Sequence, residues 1–408
     1  MIGGGDVGRG AGRVCNLAGD CGPGDGRTLH VGIASGADIE STLDLANVLH
    51  AAGAWATLYL SRSRAGRLVG ERNGATEDGI VARIYDLNLL PPTIPVRLID
   101  YPRMRDPRSL GTVRGVAEAM ESDGVDVVHI SLGPGELWLA SLALLLRDVP
   151  VVTAFQQPLQ NLGDDRPEWM TALGNRLALW GADLYAVHGQ ELVDVMVHRY
   201  RLPAERVVHV PLVPRITAAR WPRSNIAEEP GTVLFFGGAR YHKGLEYLVR
   251  AQPLVNREVP DARFLIAAHG PDLERCLAMI EEPGRFEVHA GFVPGEEMPA
   301  YFERASLVAL PYIDGAASGV LLDAYSFGRP VVATRVGALP DYVQEGVTGL
   351  LVPPADEAAL ARAIVYLLQN DGLRHRMGEQ AERWVEEQKR SIADRWLEVY
   401  QKAIETSE

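Results

Sequence analysis

The sequence predicts an α/β protein made of two Rossmann-like domains facing across a cleft. Three observations carry this reading. Strand-like apolar runs alternate with helical patterns from Thr28 onward, as in a parallel sheet with helices on both faces. The alternation breaks at a Pro-rich, irregular stretch, residues 211–230, and then starts again. At 408 residues the chain is too long for one ordinary domain. The expected division is a Gly-rich leader over 1–27, an N-terminal domain over 28–212, a linker over 213–230, a C-terminal domain over 231–390 and a final helix over 391–408.

In the first half, residues 29–35 read as a strand, 40–52 as a helix with apolar residues at helical spacing, and 54–60 as a strand. Strands follow at 96–100 and 125–130, with a helix at 113–122 between them. Residues 137–146 are expected to be helical, 149–154 a strand, 170–179 a helix, 182–188 a strand and 190–200 a helix. A strand at 207–210 closes this half. The second half reads as strand 232–236, helix 244–255, strand 262–267, helix 273–280, strand 286–289, helix 298–305 and strand 307–310. A strand at 349–352 and a helix at 357–369 follow the motif described next. The tail 392–404 is amphipathic, with Trp396, Leu397, Val399 and Tyr400.

Residues 311–343, PYIDGAASGVLLDAYSFGRPVVATRVGALPDYV, are the most informative stretch. They read as a strand end, a small-residue loop, a short helix and a second strand. Ser318 is expected to cap the helix, Gly328 to sit just past its end, and Pro330 to block its return. A small-residue loop opening onto a helix N-terminus presents free backbone N–H groups and the positive end of the helix dipole, which suits an anion. Asp314 and Asp323 flank it, and a carboxylate one turn in suits sugar hydroxyls.

Composition bounds the alternatives. The chain is 47% hydrophobic and 23% charged, which supplies ample core material. A net charge of −13 argues against nucleic acid as a partner. Cys15, Cys21 and Cys276 make no disulfide framework, and no metal site is expected. No run is apolar for the ~18 residues that a membrane span needs. Residues 1–27 lack the apolar core of a signal peptide and are expected to be a disordered leader.

Residues 311–343 resemble the donor-binding signature of the retaining glycosyltransferases of the GT-B fold, glycosyltransferase family 4 or glycosyl transferases group 1. Asp323 falls on the second Glu of that signature. Gly315 stands at the strict first-Glu position, while Asp314 matches the Glu of a variant, P-Y-x-E-A-T-Q-S-G-V. The segment FGGARYHKG, with Arg240 and Lys243, matches the basic strand–loop–helix where family members carry an Arg and a Lys. AAHGPDL, with His269, is similar to the family's turn after a strand; His269 could equally be a plain exposed turn histidine. Gly291, Phe292 and Val293 match the segment that lies against the nucleotide base. In the first half, Gly36 matches the first Gly-rich loop. VHISLGPGELW is the candidate acceptor loop, and His129, which ends its strand, is expected at the cleft; a catalytic role and a structural one, as the family's His there can have, are both open. His188 matches a strand-end segment lining the cleft. Phe155 and Gln156 replace the family's His motif in TAFQQP, so Gln156 and Gln157 can bond hydroxyls but cannot do acid–base work.

The resemblance implies sugar transfer from a nucleotide diphosphate sugar of UDP or GDP type to an acceptor hydroxyl, with retention. Arg240 and Lys243 would stabilise the leaving diphosphate together with Ser318, Gly319, Val320 and Leu321 at the helix start. Asp323 would bind ribose, and Asp314 the donor sugar. The family implies no metal or other cofactor beyond the nucleotide-sugar co-substrate. The acceptor is unknown: a small molecule, a glycan or a lipid-linked species. A cytoplasmic location is expected, with peripheral membrane contact compatible with it. A sugar-nucleotide epimerase or hydrolase of the same fold, or a decayed nucleotide-sugar-binding protein, are the alternatives.

Overall fold

The computed structural model describes residues 28–407 except 37, 71–75, 102–107, 134–135, 147, 164–167, 217–219, 222 and 316. The expected leader, with Cys15 and Cys21, lies outside the described residues.

The first half forms a parallel sheet of seven strands: β1 (His30–Ser35), β2 (Trp55–Ser61), β3 (Val96–Ile99), β4 (Val127–Leu132), β5 (Val151–Phe155), β6 (Leu184–Val187) and β7 (Val207–His209). Their order is β3-β2-β1-β4-β5-β6-β7. The second half forms a parallel sheet of six: β8 (Thr232–Gly238), β9 (Arg263–His269), β10 (Phe286–Ala290), β11 (Leu307–Leu310), β12 (Val331–Thr334) and β13 (Gly349–Val352), in the order β10-β9-β8-β11-β12-β13. The central strands are buried from end to end, as in β4, β5 and β11. That is why they read as continuous Val, Ile, Leu and Ala runs rather than as alternating ones. In each sheet the chain order reverses at one place, between β1 and β4 and between β8 and β11. The carboxyl ends of those strands form the crevice where sheets of this kind take ligands.

Local expectations failed where periodicity was weak. Helices at Arg62–Leu68 and Glu77–Asp86 were not expected. The first buries only Ala65, Gly66 and Leu68, and the second only Ile80 and Ile84, too few for a sequence signal. The helix expected over 137–146 stops at Leu142. The one expected over 190–200 runs as an α-helix to Asp194 and then as a wider π turn over Val195–Arg199.

The final helix is the larger surprise. It runs unbroken over Asp371–Ser407, 37 residues, so the boundary expected at 391 falls inside it. Its first part packs on the second half, where Gly378 lies so close to Gly328 that a Cβ would collide with the Gly328 carbonyl oxygen. Its end packs on the first half, with Trp396 and Tyr400 fully buried. One continuous helix therefore packs on both halves.

Candidate functional site

The second half brings its expected donor residues to the carboxyl ends of β8 and β11. After β8, a turn carries Arg240, exposed, and Lys243, half-buried. Gly244 then takes a φ of 64° and ends the turn. A Cβ there would collide with the Pro311 carbonyl oxygen. Glycine thus lets the basic turn lie directly on the strand end after β11. His242 completes the join, its carbonyl accepting the Ile313 N–H at 2.9 Å. The Lys243 Nζ sits 3.8 Å from the centre of the Tyr312 ring, and the Tyr312 hydroxyl is 3.0 Å from Ser318 Oγ. Lysine, tyrosine and the start of the helix Gly319–Ser326 therefore form one continuous wall.

Ser318 holds the N-cap position but does not cap. Its hydroxyl is committed to Tyr312, a partner that helix-start rules cannot foresee. The correction leaves the helix start without a side-chain cap, and so open to an outside acceptor. Gly328 follows the helix with a φ of 62°, and the Arg329 N–H bonds back to the Ala324 carbonyl at 2.8 Å.

His269 and Phe292 meet beside this wall with ring centres 5.7 Å apart. Partial burial and the nearby Arg240 hold the His269 pKa below its ordinary value. Gly291 is tied to the end of β9 through the Ala268 carbonyl at 2.9 Å, and Val293 is half-buried.

Asp314 faces the other half. Its Oδ2 accepts the Leu162 N–H at 2.7 Å, and its Oδ1 accepts the Gly315 N–H at 2.8 Å. Gln157 donates to Asn161 Oδ1 at 2.7 Å within that same first-half loop. Gln156 lies in the cleft and donates to Asp38 Oδ2 at 3.0 Å and to Ser131 Oγ at 3.2 Å. Gly36 is covered: a Cβ would run into Glu136 and Trp138, so its loop is closed by side chains rather than open.

The two strand-end histidines do not serve the cleft. His129 is buried, with Nδ1 2.9 Å from Tyr400 Oη and its ring 4.7 Å from that of Trp396. Burial, and then the nearby His188, push its pKa down to about 3, so it stays neutral. His188 is also buried, its Nδ1 2.9 Å from the Val210 carbonyl, with a pKa lowered mainly by burial. Both are held by packing under the final helix.

Asp323 departs furthest from expectation. It is almost wholly buried, and Arg215 stands against it, with Nε 3.6 Å from Oδ1. The Arg215 Nη1 lies 3.5 Å from Glu40, 3.8 Å from Asp44 and 3.9 Å from Asp38, and donates to Ser41 Oγ at 3.2 Å. Four carboxylates thus surround one buried guanidinium. Burial first, and then Glu40, Asp44 and Asp38, push the Asp323 pKa up to about 7 against the pull of Arg215. Burial opposes the charge on Arg215, yet the four carboxylates together hold its pKa above the ordinary range. Among the described residues no cluster of His, Cys, Asp and Glu is arranged to hold a metal.

Two parallel sheets with a basic, open helix start between them define a recognisable class. Residues 40–212 match the family described as Glycosyltransferase Family 4, and residues 230–370 match Glycosyl transferases group 1. Each half of the chain thus matches a glycosyltransferase family. It is 32% identical over 202 residues to alpha-D-kanosaminyltransferase of Streptomyces kanamyceticus, covering 46% of this chain and 52% of that protein. It is also 32% identical over 221 residues to D-inositol 3-phosphate glycosyltransferase of Corynebacterium glutamicum, covering 49% of this chain and 52% of that protein. The chain spans about half the length of these curated relatives. Among solved structures, a glycosyltransferase from Rickettsia africae superposes with a TM-score of 0.65 at 16% identity, over 92% of this chain and 98% of that one. HepE of Anabaena, solved with UDP and glucose, superposes with a TM-score of 0.67 at 15% identity, over 91% and 98%. These likenesses establish the GT-B fold.

Sequence reasoning missed Arg215 and the carboxylates it gathers. Arg215 lies in the segment expected to be a linker, where no periodic pattern marks it. Asp38 was hidden by its role as helix cap, accepting the Ser41 N–H at 3.1 Å. The one available signal was the crowding of Asp38, Glu40 and Asp44 at a helix start beside the first-half strand end.

Proposed function

We propose that this glycosyltransferase moves a sugar from a UDP- or GDP-type nucleotide diphosphate sugar to an acceptor hydroxyl, with retention at the anomeric carbon. The observation that carries the reading is the wall formed by Lys243, Tyr312 and the uncapped start of Gly319–Ser326, with Arg240 beside it. Fixed cations and free N–H groups at one place stabilise a diphosphate as it gains charge. In this reading Arg240, Lys243, Gly319 and Val320 hold the diphosphate. His269, Gly291, Phe292 and Val293 border the base, Asp314 serves the donor sugar, and Asp323 the ribose. Gln156 and the first-half loops meet the acceptor. The leaving diphosphate oxygen itself takes the acceptor proton, so no side chain acts as nucleophile or base.

The same proposal needs no resident metal, since the cations and the helix start supply the positive charge. EDTA should leave the rate unchanged. Location belongs to the proposal too: cytoplasmic, with peripheral membrane contact if the acceptor is lipid-linked. No described helix is long and apolar enough to cross a membrane.

The test is a titration panel of UDP-, GDP- and dTDP-sugars on the wild type and on Lys243→Ala. A sugar nucleotide at a hundred times its dissociation constant should stabilise the fold by about 2.7 kcal/mol. Selective binding that Lys243→Ala weakens supports the donor site, and an acceptor screen with the anomeric product read by NMR then tests retention. Binding without a new product would point to the epimerase, hydrolase or non-catalytic readings. Binding of no nucleotide sugar would overturn the proposal.

A further inference from the structure

Arg215 lies within 4 Å of four carboxylates, three from the first half and one from the second. It comes from the segment joining the two halves. It reaches Asp38, Glu40, Ser41 and Asp44 of the first half and Asp323 of the second. Its guanidinium packs against the helix start, where a Cβ on Gly319 would collide with Nη2. Glycine at 319 thus leaves room for Arg215.

We propose that Arg215 is a positioning residue for the nucleotide: it fixes the Asp323 carboxylate, through which the ribose hydroxyls are held, and ties it to the first half. The inference rests on the donor reading above. Asp323 is one turn inside the helix whose start faces the diphosphate, the distance at which a ribose follows a phosphate. Ribose hydroxyls donate hydrogen bonds, and an ionised carboxylate accepts them far better than a neutral acid.

Without Arg215, Asp323 would be buried beside Asp38, Glu40 and Asp44 with no neutralising partner. A buried carboxyl so placed takes up a proton. The other charged or titratable groups around the cluster are Arg220, which acts on Asp44, and His188, which lies near Asp38. His188 is buried with a lowered pKa, and Arg220 bonds to the Asn88 carbonyl at 2.7 Å. Neither replaces Arg215 at Asp323.

The experiment titrates UDP and GDP, each also as its 2′,3′-dideoxy form, into the wild type, Arg215→Met, Arg215→Lys and Asp323→Asn at several pH values. For the nucleotide that the wild type binds, Arg215→Met should lose roughly tenfold or more in affinity at pH 7. The loss should shrink by pH 9, as Asp323 ionises without its partner. It should vanish with the dideoxy nucleotide, which has no hydroxyls to hold. Arg215→Lys should fall between the two, and adding Asp323→Asn to Arg215→Met should cost nothing more. A loss equal for ribose and dideoxy forms at every pH, or no loss at all, overturns the inference. If Arg215→Met does not fold, Arg215→Lys and its combination with Asp323→Asn make the same comparison. A wild type that binds neither nucleotide overturns the donor reading, and this inference with it. A wild type that binds, beside unaffected variants, overturns this inference alone.

Discussion

Lys243 reaches the proposed diphosphate position from a turn whose backbone is pinned to the strand end at Pro311, so its ammonium is placed before any ligand arrives. Replacing it with Ala should lower kcat by about a hundredfold while leaving the melting temperature nearly unchanged, because the side chain is half-buried and packs on one ring. Asp323 makes a prediction in pH. Its folded-state pKa lies near 7, above its ordinary value of 3.8. The folded protein therefore binds the extra proton between these values, and the stability this group contributes is lost as pH rises from about 4 to 7. Asp323→Asn should flatten that part of the stability-against-pH curve, measured by urea unfolding. His129 has the opposite sign. Its pKa is depressed to about 3 from 6.5, so its contribution is lost as pH falls below about 6.5. His129→Gln should soften the acid limb without touching the alkaline one.

At the scale of elements, the short helix Gly319–Ser326 was legible because every signal for it is local. A small-residue loop precedes it, a glycine at φ 62° ends it and a proline follows. The same is true of the basic turn, where Gly244 permits an approach that no other residue allows. Gly244→Ala should destabilise by about 2–3 kcal/mol and lower donor affinity together, since the turn that carries Lys243 would be displaced. The final helix was only half legible. Residues 392–404 carry an apolar stripe, but the segment before them is dominated by Glu, Arg and Gln, and its few buried positions, such as Met377, Ala381 and Val385, gave too thin a stripe to read. Trp396→Ala should cost about 3–5 kcal/mol, because the indole is fully buried against His129 and Tyr400. Chemical denaturation would measure it.

At the scale of the whole molecule, several of the described polar contacts that join the halves, apart from those of Arg215, use backbone groups. The Tyr342 hydroxyl donates to the His188 carbonyl at 2.8 Å and accepts the Leu212 N–H at 2.8 Å. Asp341 accepts the Gln190 N–H at 2.8 Å, and Asp314 accepts that of Leu162 at 2.7 Å. Tyr342→Phe would leave both Tyr342 partners unsatisfied, at about 1–3 kcal/mol, and amide exchange should quicken at Leu212 while the core of β4 keeps its protection.

The sequence by itself determined the two alternating sheets, the basic turn and the short helix after the small-residue loop, since each is written in residues adjacent along the chain. Only the tertiary structure decided what the buried polar groups do. Tyr400 lies 271 residues from His129, and Arg215 gathers carboxylates from segments on both sides of it. Burial and charge at such places depend on neighbours that folding alone assembles, and no periodicity records them. His129 therefore became a structural residue, and a linker arginine became the partner of the carboxylate expected to meet the ribose.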